Sequence, residues 1–146
     1  MKQVLVLCTG NSCRSQMAEG YLKFYGDGKA EFFSAGSLPT ELHPIAVKVM
    51  AEDSIDIAVY TSKNLSVFEG RHFDYIINVC SEVSNQIPST ITSEVIFYYD
   101  VPDPAQLIDS PKVMLTEFRR VREMIKALML KFIGSELSEK KEAILY

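Results

Sequence analysis

This sequence lacks the features expected of a secreted, membrane-bound or nucleic-acid-binding protein. No apolar run approaches the ~20 residues that a membrane-spanning helix needs. Met1 and Lys2 lead directly into a strand pattern, so we expect no signal peptide. The chain has only three cysteines, which predicts reduced thiols, and its net charge of −4 argues against nucleic-acid binding. These absences predict a cytoplasmic protein with no membrane partner and no nucleic-acid partner.

Length and composition predict one ordinary domain. A chain of 146 residues can form one good core, and 47% apolar with 23% charged residues is typical of soluble globular proteins. No repeat, low-complexity segment or linker interrupts residues 1–133, which are predicted to form the domain. Residues 134–146, with a cluster of Glu and Lys, are predicted to be a frayed C-terminal tail unless their apolar end docks on the domain or a partner.

Strand and helix patterns alternate along the chain. Strand-like runs occur at residues 4–7, 31–35, 75–79 and 95–99, and helical patterns at 15–24, 44–53, 65–68 (capped by Thr61 or Ser62) and 111–132. The first and last helices are predicted to bury one stripe each, formed by Met17, Tyr21 and Phe24 and by Met114, Phe118, Val121, Ile125, Leu128 and Phe132. This alternation predicts an α/β single-domain, three-layer fold in which helices flank a four-stranded parallel sheet.

The segment from Cys8 to Arg14, called the anion loop below, carries the strongest functional signal. An apolar strand ends at Cys8, Gly10 and Asn11 form a tight loop, and a helix begins near Arg14. The inward N–H groups of such a loop and the positive end of the helix bind anions. The planar guanidinium of Arg14 can pair two oxygens of a tetrahedral oxyanion, and the same field favours a Cys8 thiolate. A buried structural cysteine with a surface arginine is the alternative. The predicted oxyanion-binding residues are Thr9, Gly10, Asn11, Ser12, Cys13 and Arg14.

The motif from Cys8 to Glu19 resembles the low-molecular-weight tyrosine phosphatase superfamily. More narrowly, Cys13 and Gln16 make it similar to the arsenate reductases of that fold, the thioredoxin- or glutaredoxin-linked type. The resemblance extends over roughly Lys2 to Ile133 and implies a flavodoxin-like, low-molecular-weight phosphatase-like fold. In such sheets the active crevice lies at the carboxyl ends of the strands, where Cys8, Cys80 and the loop of Asp100 to Asp103 are expected to meet.

The resemblance also implies roles for a loop after the fourth strand. Asp103, followed by Pro104, is the predicted general acid that protonates a leaving oxygen, with Asp100 as the second choice. A simple Asp-Pro turn is the alternative. The phosphatases usually have a tyrosine after this Asp-Pro pair, and here Ala105 removes that aromatic wall. A small inorganic substrate is therefore favoured.

Supporting roles around the anion loop follow from the same resemblance. Ser15 is predicted to donate a hydrogen bond to Cys8 while capping the helix, and Asn11 to pin the loop through its side chain. Glu19 and Ser34 are predicted to support Asn11, and in some reductases such residues surround a potassium ion. Lys63 stands where those enzymes carry an acidic residue; it is interpreted as a solvated surface lysine, with a stand-in for potassium as the alternative.

The other two cysteines and the two histidines are interpreted one by one. Cys80, at the end of the third strand, is the predicted second thiol, although Ile87 stands where thioredoxin-linked relatives have a further cysteine; an inert buried thiol is the alternative. Cys13 can also pack as a small hydrophobe. His43 and His72 have no partner pattern for a metal or a base and are predicted to be structural or exposed.

The predicted function is thiol-dependent reduction of arsenate to arsenite through a covalent adduct on Cys8. The alternatives are a protein tyrosine phosphatase that hydrolyses phosphotyrosine through a phosphocysteine, and a non-catalytic oxyanion or phosphotyrosine sensor. We expect no metal and no resident cofactor. A reductase would need an external thiol reductant, either thioredoxin or glutaredoxin with glutathione.

Overall fold

The structure, a computed structural model, describes residues 1–80 and 86–138. The strands and main helices of that part of the chain are, in order, β1 (Lys2–Cys8), α1 (Arg14–Tyr25), β2 (Ala30–Gly36), α2 (Pro44–Glu52), β3 (His72–Asn78), β4 (Thr92–Tyr98) and α3 (Pro111–Phe132). Short 3₁₀ turns cover Leu65–Phe68 and Pro104–Gln106, and a π-helical turn covers Ile133–Leu137. Each predicted strand and helix is present, with ends shifted by a few residues.

The four strands form one parallel sheet in the order β2-β1-β3-β4. Both edges of β1 are paired, with β2 and β3, and the layers that flank the sheet cover both its faces, so Val4 to Leu7 are fully buried. On one face Tyr75 meets Phe132 of α3 edge-on at 5.1 Å between ring centroids. On the other, Phe33 packs against Phe68 at 5.7 Å. The predicted three-layer α/β fold is therefore confirmed.

Several details of the predicted core and caps are wrong. Phe24 is 53% exposed, because α1 buries its Met17 and Tyr21 side and leaves Phe24 at its outer end. On α3, Met129 is fully buried, whereas Met114 and Leu128 are only half-buried. The turn at Leu65–Phe68 is capped by the side chain of Asn64, which accepts from the Ser66 N–H at 2.9 Å, and not by Thr61 or Ser62.

The carboxyl ends of β1, β2 and β3 converge on the anion loop. Beyond the ends of the regular strands, the Val79 N–H still donates to the Leu7 carbonyl at 3.0 Å, so the residues after β1 and β3 stay adjacent. Gly36 ends β2 directly beneath the loop. A Cβ at this position would clash with the Thr9 carbonyl and lie 2.8 Å from the Asn11 nitrogen. Only glycine lets β2 and the loop approach this closely.

The end of the described chain remains helical past α3. The predicted boundary between residues 133 and 134 falls inside the π-helical turn, in which Ile133 and Leu137 are buried. Residues 139–146 lie outside the described residues, so the frayed tail stays a prediction. Among the described residues, no helix is both long and apolar enough to span a bilayer.

Candidate active site

A cavity of about 420 Å³ opens at the carboxyl ends of the strands. Its wall is built from the anion loop, from the segment of residues 38–43 (called the rim segment), and from the loop after β4. The lining residues include Cys8, Cys13, Arg14, Thr40, His43 and Asp103. The structure thus brings together the predicted nucleophile, the predicted cation and the predicted acid.

The rim segment determines which way the anion loop faces. The N–H groups of Leu38, Thr40 and His43 each donate at 2.9 Å to a loop carbonyl, those of Thr9, Gly10 and Ser12 respectively. These bonds hold the loop carbonyls on the outer side of the loop. With these carbonyls engaged, we expect the loop N–H groups to face the cavity, which is the arrangement that binds an anion.

Arg14 is the cation of the cavity. Its side chain is 9% exposed, and its Nη1 donates to the Val101 carbonyl at 3.0 Å. Burial opposes its charge, but the neighbouring Cys8, Cys80 and Asp103 outweigh burial and raise the pKa of Arg14 above its ordinary value. Its buried Nε has no hydrogen-bond partner among the described residues. A buried, charged donor without a partner is costly unless an anion binds there, so the site fits an oxyanion.

A hydrogen-bond network centred on Asn11 fixes the loop from behind. Asn11 has φ 47°, in the left-handed region that Asn tolerates better than most residues. Its Oδ1 accepts from the Lys63 backbone N–H at 2.8 Å, which identifies this atom as the oxygen. Its Nδ2 then donates to Ser15 Oγ at 2.8 Å and to Ser34 Oγ at 2.9 Å. Ser34 in turn donates to the buried carboxylate of Glu19.

This network favours one of the two possible directions for the hydrogen bond at Cys8. Cys8 Sγ lies 2.8 Å from Ser15 Oγ. Because Ser15 Oγ already accepts from Asn11, its own proton is free to point at the sulfur. A donor aimed at sulfur stabilises the thiolate. Ser15 does not cap α1, however, since it lies inside the helix and the N-cap is Cys13, which makes no side-chain cap hydrogen bond.

Asp103 occupies the open side of the cavity, facing Arg14. Its Oδ2 lies 3.7 Å from Arg14 Nη2, and its Oδ1 accepts from the Ala105 N–H at 3.0 Å. Asp103 therefore forms the Asp-Pro turn and also faces the site, so the two interpretations are compatible. Asp100 is exposed and does not line the cavity.

Cys13 is more than a small hydrophobic residue. Its Sγ lies 3.6 Å from Asp103 Oδ1. Burial, together with Asp103 and Cys8, raises the pKa of Cys13 to about 12. Cys13 therefore stays a protonated thiol at neutral pH and donates to the carboxylate of Asp103.

Cys80 lies at the same end of the sheet as Cys8. Its Sγ is 3.1 Å from Thr9 Oγ1, and its N–H donates to Asn78 Oδ1 at 2.9 Å. All three cysteines are free and buried. Ile87 is half-buried, and most of the segment that joins it to Cys80 lies outside the described residues. The geometry is compatible with a second thiol that reaches Cys8.

Two lysines flank the Glu19 end of the network. Lys23 Nζ forms an ion pair with Glu19 at 2.6 Å and lies over the Tyr60 ring. Lys63 is half-buried rather than fully solvated, and its Nζ donates to the Thr61 carbonyl at 2.8 Å. Burial lowers the pKa of Lys63, and Glu19 opposes that shift. A bound potassium ion or its replacement by Lys63 stays a prediction.

The two histidines differ from each other. His72 is exposed, as predicted, and contacts Thr92 and Glu94. His43 has the predicted structural role, since it caps α2, where its Nδ1 accepts from the Ile45 N–H at 3.1 Å; it also lines the cavity, which the sequence does not predict. The His-Pro pair indicated only a helix start; no signal in the sequence showed that the rim segment would bring this ring to the anion loop.

Comparison with known proteins agrees with this geometry. The family model of the low molecular weight phosphotyrosine protein phosphatases matches residues 3–143. An arsenate reductase from Shouchella clausii is 37% identical over 131 residues, covering 90% of this chain and 94% of that protein. A glutaredoxin arsenate reductase from Synechocystis is 36% identical over 131 residues, covering 90% of this chain and 98% of that protein. The solved structure of an arsenate reductase in the phosphate binding state superimposes with a TM-score of 0.79 at 34% identity, covering 94% of this chain and all of that one.

The first prediction concerns the reactivity of Cys8. We expect iodoacetamide at pH 6 to alkylate Cys8 at least about tenfold faster than Cys80, because Ser15, the loop amides and Arg14 favour a thiolate. Cys80 is a matched internal control, since both residues are 2% exposed. Sulfate or phosphate should protect Cys8. Equal rates at the two cysteines, with no protection by anions, would show that the loop is not an anion site.

Proposed function

This chain belongs to the low molecular weight phosphotyrosine protein phosphatase family, within its arsenate reductase branch, and on that basis we propose that it reduces arsenate to arsenite with electrons from thiols. The observation that carries the proposal is the placement of two thiols at one anion site. Cys8 lies beside Arg14 and within hydrogen-bond distance of Ser15 Oγ. Cys80 follows the neighbouring strand β3, and its Sγ is 3.1 Å from the Thr9 hydroxyl oxygen in the anion loop.

The first step proposed is formation of a covalent adduct. The loop N–H groups and Arg14 bind arsenate, and the Cys8 thiolate attacks arsenic. A sulfur–arsenic bond forms and one arsenic–oxygen bond breaks; the oxygen leaves as water, with its proton delivered by Asp103 in the protonated form, which the incoming protonated arsenate can generate. Asp103 lines the same cavity as Cys8 and is the more exposed of the two, and this position at the rim of the anion site supports the role.

The second step transfers two electrons. Cys80 gives up its proton, which the departing arsenite oxygen accepts, and its sulfur attacks the Cys8 sulfur; a disulfide forms, and the sulfur–arsenic bond breaks with its electron pair going to arsenic. Arsenic is reduced from the +5 to the +3 state, while two thiols are oxidised to one disulfide. Arg14 supports this step because it lies within electrostatic reach of both Cys8 and Cys80. No resident cofactor takes part in this scheme.

The reductant is proposed to be glutaredoxin with glutathione or another small thiol, acting in a reducing cytoplasm. The chain has only three cysteines, at positions 8, 13 and 80, and position 87 is isoleucine. No further cysteine is available to carry the disulfide outward, so an external thiol has to reach Cys8 or Cys80 itself. The name of the Synechocystis relative, a glutaredoxin arsenate reductase, supports the same choice.

A protein tyrosine phosphatase is the second candidate, because Asp103 would serve equally well as the acid for an aryl phosphate. The loop that follows argues against it. The side chain after Pro104 is the methyl group of Ala105, which lines the cavity without supplying an aromatic wall for a phenol ring.

Two assays run side by side separate these functions. We expect arsenite formation that depends on added thiol, tested with thioredoxin, with glutaredoxin plus glutathione, and with neither, and only slow hydrolysis of phenyl phosphate. Cys8→Ser should abolish both activities. Rapid hydrolysis without arsenite would identify a phosphatase, and the absence of both activities would identify a sensor.

The general-acid role of Asp103 has a matched control on the same loop. Asp103→Asn should slow phenyl phosphate hydrolysis by about 10²-fold, the usual loss when a general acid is removed. Asp100→Asn should change little, because Asp100 is exposed and does not line the cavity. A substrate whose leaving group needs no proton should be affected much less. If Asp100→Asn is the slower variant, the acid is Asp100.

The role of Cys80 is tested in one turnover. Arsenate without external thiol should give about one arsenite per chain and a Cys8–Cys80 disulfide, in line with stepwise thiol–disulfide exchange. Peptide mapping of the product identifies the pairing, and Cys80→Ser should give no arsenite under these conditions. Arsenite released while Cys80 is recovered as a free thiol would rule out the intramolecular step.

A further inference from the structure

His43 is held rigidly at the junction of the rim segment and α2. Its backbone N–H donates to the Ser12 carbonyl at 2.9 Å, which ties it to the anion loop. Its ring packs against Phe118 of α3 with 4.7 Å between ring centroids. The side chain lines the same cavity as Cys8, Arg14 and Asp103. The ring is therefore a fixed part of the cavity wall.

The hydrogen bond at Nδ1 assigns the tautomer of this ring. Nδ1 accepts from the Ile45 N–H at 3.1 Å, and a backbone amide can only donate. In the neutral ring the proton consequently resides on Nε2, which becomes a donor. Nδ1 faces the start of α2 and the ring lines the cavity, so the edge that carries Nε2 is the one available to a ligand there. In the described part of the chain, no hydrogen bond joins Nε2 to another residue.

The ring is neutral at physiological pH. Burial lowers the pKa of His43, and the carboxylate of Asp103 only partly opposes this shift. The other charged or titratable groups that line the cavity are Cys8, Cys13, Arg14 and Glu41. His43 therefore contributes a directional donor to the cavity and no additional charge.

We propose that His43 is an oxyanion-binding residue, whose Nε2–H donates to the oxygen that faces the open side of the cavity. The loop N–H groups and Arg14 hold the oxygens directed toward the loop, so the outward oxygen needs a donor from another element. The rim segment supplies it through His43. This inference goes beyond the proposed function, because it applies to any tetrahedral oxyanion and does not require arsenate to be reduced.

Two substitutions separate the role of His43 as the cap of α2 from its role as a hydrogen-bond donor to the anion. His43→Asn keeps a short side chain that caps α2 well, but its amide reaches only as far as Nδ1. His43→Gln places an amide N–H near the position of Nε2 and weakens the cap. Sulfate is the probe, and its affinity is measured by titration calorimetry at pH 7.5. The thermal unfolding temperature of each variant shows how well its side chain caps α2.

We expect His43→Asn to unfold near the temperature of the native chain yet bind sulfate roughly tenfold more weakly, as for one lost hydrogen bond to a charged ligand. His43→Gln should unfold at a lower temperature and keep sulfate affinity within about threefold of the native value. Native affinity in His43→Asn would overturn the proposal. Equal losses of affinity in both variants would also overturn it, since they would show that the reach of the donor has no effect.

Discussion

The site depends on the side chain of Asn11. Its oxygen is identified by the backbone N–H of Lys63, and this contact fixes the Asn11 nitrogen as the donor to its two serine neighbours. The nitrogen then donates to Ser15 and Ser34, which leaves the Ser15 proton free to point at Cys8, while Ser34 donates to Glu19. Each of these groups is buried, and leaving one without its partner costs about 1–3 kcal/mol. The Cys8 environment is therefore fixed by residues that do not touch the substrate.

The rest of the fold serves to bring three backbone segments to this point. The sheet order places the ends of β1, β2 and β3 side by side, and Gly36 allows β2 to pass directly beneath the loop. Backbone N–H groups of the rim segment donate to the carbonyls of the anion loop, and the loop after β4 places Asp103 opposite Arg14. The charges of a largely buried site come from few residues, because Cys13 remains protonated and His43 remains neutral.

The strand–loop–helix pattern around Cys8 was readable from the sequence because each part has a local cause. An apolar run forms the strand, Asn11 tolerates the left-handed turn, and the helix begins after it. The features that the sequence does not predict depend on contacts between distant segments. The packing of α2, α3 and the rim segment determines three such features: the exposure of Phe24, the half-buried position of Lys63 and the position of His43 in the cavity wall. The direction of the Ser15 hydrogen bond likewise depends on Lys63, which is 52 positions from Asn11.

The central claim is that Ser15, held by Asn11, keeps Cys8 as a thiolate. The ultraviolet absorbance of thiolate groups at neutral pH, read as the number of thiolates per chain, tests it most directly. The account predicts about one thiolate in the native chain, none in Cys8→Ser, and a clear loss in Ser15→Ala, which removes the hydroxyl that lies 2.8 Å from the sulfur and accepts from Asn11. An absorbance that survives in Cys8→Ser, or that is unchanged in Ser15→Ala, would contradict it.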